Sequence, residues 1–154
     1  MTPIVAFYKG EGTDAQGRHL SDYLHFTHEE MENIHDWVQW AFPLPEPSKA
    51  QPQSPVLTQE DLDVFRTQST LQQKAKALAD YYLDFLRETT DWRKDRDHNH
   101  LRITRVLRFL SLIGYPLKAM TFKVDVVVMY PEVSSETTHY WKEAMKKNPD
   151  WLQS

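Results

Sequence analysis

The spacing of apolar residues along the chain predicts helices rather than strands. In residues 27–42, apolar side chains recur every three or four positions, which places them on one face of a helix. Thr27 and Glu30 have the spacing of a capping box, in which each side chain satisfies a backbone amide of the other, so a helix is predicted to begin here. The apolar positions of that face are Met31, Ile34, Val38 and Ala41.

Residues 116–130 carry two competing patterns. Their valine-rich second half is typical of a strand, whereas Ala119, Phe122, Val126 and Met129 recur at helical spacing. Because an isolated strand is unstable and the sequence offers no second strand to pair with it, we expect a helix. The predicted helices are therefore residues 27–42, 58–67, 69–88, 99–114, 116–130 and 134–147.

Glycine and proline predict the connections. Residues 9–18 hold three of the four glycines and are expected to form a surface loop, since the GxGxxG and Walker patterns of phosphate-binding loops are absent. Residues 43–55 hold five of the nine prolines, which end the preceding helix and predict an extended connection with polyproline II character. Residues 148–154 are expected to form a tail.

Length and composition narrow the class of protein. A chain of 154 residues with 40% hydrophobic content fits one folded domain, so we expect a single compact all-α domain over residues 1–154, with its core in residues 4–147. The lack of cysteine excludes disulfides, thiolate metal sites and a thiol nucleophile. Without a signal-peptide pattern or an apolar run of about 20 residues, the chain is predicted to be cytoplasmic, with no membrane span.

The charges are segregated along the chain. Residues 1–60 hold nine acidic and three basic side chains, a net charge of −6, whereas residues 91–118 hold three acidic and seven basic ones, a net charge of +4. The total of −4 argues against a surface built throughout for nucleic acid. The basic stretch, residues 93–108, is expected either to pair with acids such as Glu29, Glu32 and Asp36 or to bind an external anion.

The basic stretch contains the run His98-Asn-His-Leu-Arg-Ile-Thr-Arg105. Arg102 and Arg105 are three residues apart and could line one edge of a helix, where guanidinium groups suit phosphate or carboxylate. His98 and His100 are two apart, a spacing that does not bring both imidazoles to one helix face, and no HExxH pattern occurs. We therefore predict no metal site.

A second run, around His35, Trp37, Gln39 and Trp40, has two interpretations. Tryptophan and histidine beside glutamine are residue types that line ligand pockets. Two tryptophans and a phenylalanine on a central helix are also ordinary core residues. The second interpretation is favoured, although the indole and imidazole nitrogens would still need hydrogen-bond partners.

These two runs resemble the core motifs of the conserved domain of the opioid growth factor receptor family. That family's motifs read H-x-[YW]-[IV]-Q-W-x-F-P and H-N-x-L-R-I-T-R-[IV]-L-x-x-L, and the similarity extends over about residues 4–147. The compact chain looks like the short, mainly bacterial members of the family that stand alone. The matching positions are His35, Trp37, Gln39, Trp40, Phe42, Pro43, His98, Asn99, Leu101, Arg102, Thr104 and Arg105.

The resemblance implies an all-α domain and, from the eukaryotic relatives, binding of an enkephalin-type peptide. It implies no catalytic residue, and we expect no cofactor. We favour a binding module for a small anion, a peptide or a protein, in which helices 27–42 and 99–114 pack around a polar-lined pocket. The candidate ligand-binding residues are His35, Gln39, Trp40, His98, Asn99, Arg102 and Arg105.

Two alternatives remain open. One is an enzyme acting on a phosphate or carboxylate substrate, with His35 or His98 as general base and an arginine pair as anion clamp. The other is nucleic-acid binding through residues 93–108, which would weaken steeply with salt.

Overall fold

The computed structural model describes residues 1–152, and this part of the chain contains nine helices and no strand. The prediction of an all-helical protein is confirmed, and the ambiguous segment at 116–130 is a helix. Gln153 and Ser154, which end the predicted tail, lie outside the described residues. The helices are α1 (Pro3–Lys9), α2 (Leu20–Tyr23), α3 (His28–Asn33), α4 (Val38–Ala41), α5 (Gln59–Thr67), α6 (Ser69–Glu88), α7 (His98–Leu112), α8 (Pro116–Met129) and α9 (Ser135–Ala144).

The chain divides into two densely packed units, and the boundary falls inside α6. Unit 1 is Met1–Leu78, and unit 2 begins at Ala79. The expectation of one domain over the whole chain stays a prediction. None of the helices in the described residues is long and apolar enough to cross a bilayer.

Aromatic side chains form the core of unit 1, where α1 packs against α5. The ring centroid of Phe7 lies 5.3 Å from that of Tyr23 and 5.4 Å from that of Trp40. Tyr8 meets Phe65 edge-on at 4.8 Å. Ring pairs at these distances contribute beyond the burial of their area, so the aromatic residues near the N-terminus anchor this unit.

The predicted helix over residues 27–42 is wrong in its length. The capping box of Thr27 and Glu30 is present, but α3 ends before Ile34, whose backbone is extended at φ −85° and ψ 124°. The break lets Trp37 bury its ring against Tyr23 at 5.7 Å and lets its indole donate to a carbonyl of α3. Packing of a large aromatic side chain therefore outweighs the local helical periodicity.

Two short helices, α1 and α2, were not predicted, and they lie on either side of the loop predicted over residues 9–18. Thr2 caps α1 and is followed by a proline at the first helical position, a combination that marks a helix start in sequence. Gly10 ends α1 with φ +81°, a conformation that glycine adopts without strain. The helix α2 is only one turn long, and the carboxylate of Asp22 accepts from the backbone amide of His19 at its start.

The proline-rich connection was predicted to be extended, but it contains a turn. The amide of Ser54 donates to the carbonyl of Gln51 at 3.0 Å, which closes a turn. The amide of Leu57 donates to the carbonyl of Leu44 at 2.8 Å. The connection therefore folds back on itself, because these backbone hydrogen bonds replace the solvated backbone of polyproline II.

Unit 2 is organised around α7, which packs against α8 and α9. Gly114 ends α7 with φ +98° and Pro116 begins α8, as the sequence predicts. The side chains of α7 that face its neighbours are fully buried. They include Ile103, Val106, Leu107, Phe109 and Leu110.

Candidate functional site

The start of α7 is capped by Asp97, so the helix begins one residue before Asn99, where the sequence predicted its start. The carboxylate of Asp97 accepts from the backbone amide of Asn99 at 2.9 Å. It also accepts from the side-chain amide of Asn99 at 2.9 Å. Both residue types can cap a helix, and Asn99 is instead drawn into the interior.

Asn99 is fully buried and joins three elements of unit 2. Its Oδ1 accepts from the hydroxyl of Tyr82 on α6 at 2.7 Å and from Nη1 of Arg102 at 3.3 Å. Its Nδ2 donates to the cap residue Asp97. One side chain therefore fixes the start of α7 against α6, because a buried amide must keep its hydrogen bonds.

His100 is held by aromatic residues and a carbonyl. Its Nε2 lies 2.9 Å from the carbonyl oxygen of Trp92, so this nitrogen carries the proton and donates it. The imidazole packs against Tyr130 and Trp141 at 6.3 Å and 6.0 Å between centroids. The indole of Trp141 donates to the carbonyl of His100 at 3.2 Å. These contacts hold the imidazole of His100 in place at the start of α7.

An open pocket of about 480 Å³ lies beside the start of α7. Leu101 lines this pocket, and 75% of the surface of Leu101 is exposed. Asp95 and Arg96 are exposed and form no ion pair within the described part of the chain. The residues that line the pocket are Asp95, Arg96, Asp97, His98, His100 and Leu101.

Of the predicted candidates in this unit, only His98 lines the pocket. Its imidazole lies 4.0 Å from the carboxylate of Asp97. Asn99 and Arg102 lie beneath the surface and support the start of α7, while Arg105 is half-buried further along the helix. Three residues that line the pocket, Asp95, Arg96 and Asp97, precede α7 and were not among the candidates predicted from the sequence.

The basic stretch is not a continuous basic surface. Arg102 and Arg108 are buried, and Nε of Arg108 donates to the carbonyl of Lys147 at 3.4 Å. Arg93 lies over the ring of Trp92 and donates to carbonyls at the end of α6. Lys94 and Arg96 are the exposed cations among the six of residues 93–108.

The remaining candidates lie in unit 1, around α4. Trp40 packs on Phe7, which confirms the interpretation of that tryptophan as a core residue. His35 is exposed, and its carbonyl accepts from Nε2 of Gln39 at 3.3 Å. Gln39 is buried, and its Oε1 finds no donor within residues 1–152. The pocket shared by both motifs stays a prediction.

The sequence did not predict a partly buried charge cluster in unit 1, in which only Asp14 is fully covered. Arg18 places Nε 2.7 Å from Asp14 and Nη2 2.7 Å from Asp36. The hydroxyl of Tyr23 donates to Asp14 at 2.6 Å, and two backbone amides of the loop donate to the other oxygen of Asp14. The segment 9–18 was predicted to be a simple surface loop. The contacts of Asp14 instead hold this loop in place. A sequence signal for this turn is Asp14 itself, since aspartate side chains commonly accept from the backbone amide two residues on, here that of Gln16.

This environment shifts the ionisation of the cluster. Burial alone raises the pKa of Asp14, but hydrogen bonds from Tyr23, Arg18 and Gln16 outweigh it, so the pKa lies below its ordinary value. Burial and the hydrogen bond to Asp14 both raise the pKa of Tyr23. Asp14 is therefore a carboxylate, and Tyr23 a neutral donor, at neutral pH.

The lowered pKa of Asp14 predicts a loss of stability in acid. A carboxylate whose pKa is lower in the folded than in the unfolded chain stabilises the fold above its unfolded pKa, about 3.9, and stops doing so as the pH falls through the folded pKa. Urea unfolding between pH 7 and pH 2.5 should show this decline. In Asp14→Asn the decline should be shallower, and equal slopes for both proteins would contradict the assignment.

Unit 2 thus presents a small open pocket beside the start of α7 on an all-helical scaffold. Comparison with curated proteins finds similarity to the human opioid growth factor receptor, 27% identical over 138 aligned residues, covering 73% of this chain and 20% of the human protein. The resemblance predicted from the two motifs is confirmed. The chain spans about a fifth of the length of that relative. No family model and no solved structure matches the chain.

Proposed function

We propose that this chain is a binding module that takes a short peptide in the pocket beside the start of α7. One observation carries the proposal: an exposed carboxylate, an exposed guanidinium and an exposed leucine meet in one pocket. A peptide offers the complementary groups, which are an ammonium, a carboxylate and apolar side chains. The pocket is open to solvent, so a bound peptide would lie along the surface of the start of α7.

Two further features support a peptide ligand. His100 lines the pocket and is held by Tyr130, Trp141 and the carbonyl of Trp92, and a preordered site loses little conformational entropy on binding. The human relative is named as the receptor of a growth factor. An enkephalin-type peptide, which the family resemblance implies, is therefore the first probe.

The pocket offers less support to the alternatives. An enzyme that clamps an anion with Arg102 and Arg105 would need both at the pocket, yet neither lines it, and Arg102 bonds Asn99. Nucleic-acid binding relies on several phosphate contacts, whereas Lys94 and Arg96 are the exposed cations of residues 93–108. We also propose, from the sequence, that the protein is cytoplasmic.

The test is an NMR titration of the full chain with an enkephalin peptide. We expect progressive shifts of the backbone amides of residues 95–101. Replacing Leu101 with alanine should weaken binding at least about five-fold, which corresponds to about 1 kcal/mol of lost apolar contact. Tyr140→Ala is the control, since Tyr140 is also a largely exposed apolar residue but lies on α9, outside the pocket.

The proposal fails on either of two results. One is the absence of shifts at residues 95–101 with millimolar peptide. The other is an equal affinity of Leu101→Ala and the unmodified chain. Binding that moves only amides around α4 would instead favour a site at His35 and Gln39.

A further inference from the structure

The outer face of α8 is apolar and uncovered. Four large apolar side chains of this helix are exposed, and they follow one another at spacings of three, four and four residues, which places them in one stripe. The opposite face is buried in unit 2 through Ala119, Phe122 and Val126. The stripe consists of Leu117 (75% exposed), Met120 (53%), Val124 (53%) and Val128 (74%).

This stripe differs from scattered surface leucines and valines because it is contiguous. Its four side chains expose on the order of 400 Å² of apolar surface, the size at which a patch on a monomer commonly serves in binding. A surface helix with a single buried face carries polar residues on its other face. The outer face of α8 therefore has the composition of an interface.

The charged residues on the two edges of the stripe indicate which kind of partner would fit it. Residues adjacent in sequence lie about 100° apart around a helix, so Lys123 and Asp125 flank Val124 on opposite sides. Neither forms an ion pair within residues 1–152. One edge of the stripe is thus positive at its midpoint and the other edge is negative.

We propose that α8 is the contact surface of a twofold dimer of this chain, with the two copies of α8 parallel. A twofold axis along the helix direction brings the Lys123 edge of each copy against the Asp125 edge of the other, so two pairs of opposite charge form. Antiparallel copies would instead bring Lys123 against Lys123 and Asp125 against Asp125, which is unfavourable. The surface is therefore complementary to itself in one orientation.

The size of the stripe sets the strength of this dimer. Stable interfaces bury about 800 Å² on each partner, and the stripe supplies roughly half of that area. We therefore expect a reversible dimer with a dissociation constant of roughly 10 μM to 1 mM. This contact is independent of the peptide pocket, which lies at the start of α7.

Sedimentation of the full chain from about 10 μM to 1 mM tests the dimer. The average mass should rise from that of one chain, 18.2 kDa, toward twice that value. Val124→Glu should keep the chain monomeric over this range, because it places a charge at the centre of the stripe. Tyr140→Glu, the matched exposed residue on α9, should leave the association unchanged.

Charge exchange tests the orientation. Lys123→Asp and Asp125→Lys should each weaken the dimer about ten-fold, and the double variant should restore the dissociation constant to within about three-fold. Circular dichroism checks that every variant keeps its helix content. A chain that is monomeric at 1 mM overturns the proposal and assigns the stripe to a different protein. A Lys123→Asp variant that dimerises as tightly as the unmodified chain overturns the parallel arrangement, because antiparallel copies would only exchange one like-charge pair for another.

Discussion

Replacing Arg18 with methionine is expected to lower the free energy of unfolding by about 3 kcal/mol, the lower end of the cost of breaking a buried ion pair. Its guanidinium lies 2.7 Å from both Asp14 and Asp36. The side chain of Asp14 is 0% exposed, so its carboxylate would stay buried without a neighbouring cation. Methionine can keep the contact with the rings of Tyr23 and Phe26, which isolates the loss of charge.

The matched control is Arg87→Met, measured by urea unfolding at pH 7. Arg87 pairs with Asp84 at the same 2.7 Å distance, but the two side chains are 51% and 65% exposed. Exposed pairs contribute about 0–1 kcal/mol, so the control should change stability little. Two substitutions with equal effects would show that the cluster in unit 1 is solvated and does not fix the loop.

A double-mutant cycle separates the ion pair from the packing around it. Asp14→Asn removes the carboxylate that Arg18 neutralises, so the two substitutions should not add. We expect the double variant to be less destabilised than the sum of the single variants by about 1–3 kcal/mol. Strict additivity would mean that the two side chains act separately.

Helices with local signals are predictable from this sequence. The segments 58–67 and 69–88 agree with α5 and α6 to within a residue. Thr58 and Asp61 form a capping box at the start of α5, and Gly114 with Pro116 separates α7 from α8. In each case the signal and the structure it controls lie within one or two turns, so no distant contact is needed.

Features that depend on distant contacts were missed. The break between α3 and α4 follows from the burial of Trp37 against rings that lie 11 and 14 residues away along the chain. Asp36 reaches Arg18 across 18 residues. Nothing in the periodicity of residues 27–42 distinguishes a tryptophan that needs a broken helix from one that does not.

The candidate site shows the same limit. Sequence identified the motif at the start of α7, but Asp97 and Asn99 have equal local claims to the cap position. The hydroxyl of Tyr82 on α6 decides between them, because it draws Asn99 inward. Likewise, the sequence could not show whether the basic residues of 93–108 form a surface or are buried. In the structure, Arg102 and Arg108 are buried.

Asn99→Leu is expected to lower the free energy of unfolding by about 3 kcal/mol, since it removes the acceptor shared by Tyr82 and Arg102 and the donor to Asp97. Leucine has a similar volume, so the loss reports hydrogen bonding more than a cavity. Tyr82→Phe, which removes one of these bonds, should cost about 1 kcal/mol. Asn33→Leu, at an exposed position, should stay within about 0.5 kcal/mol of the unmodified chain.

The same substitution links the fold to the pocket. Because Asn99 holds the cap residue Asp97 in place, Asn99→Leu should loosen the pocket wall and weaken peptide binding in conditions where the chain is still folded. The stability is measured by urea unfolding, and the affinity by the NMR titration. A variant that loses stability but binds peptide normally would show that Asn99 supports the packing of α7 on α6 alone. If Asn99→Leu were as stable as Tyr82→Phe, the hydrogen bond from Tyr82 alone would account for the stabilising effect of Asn99.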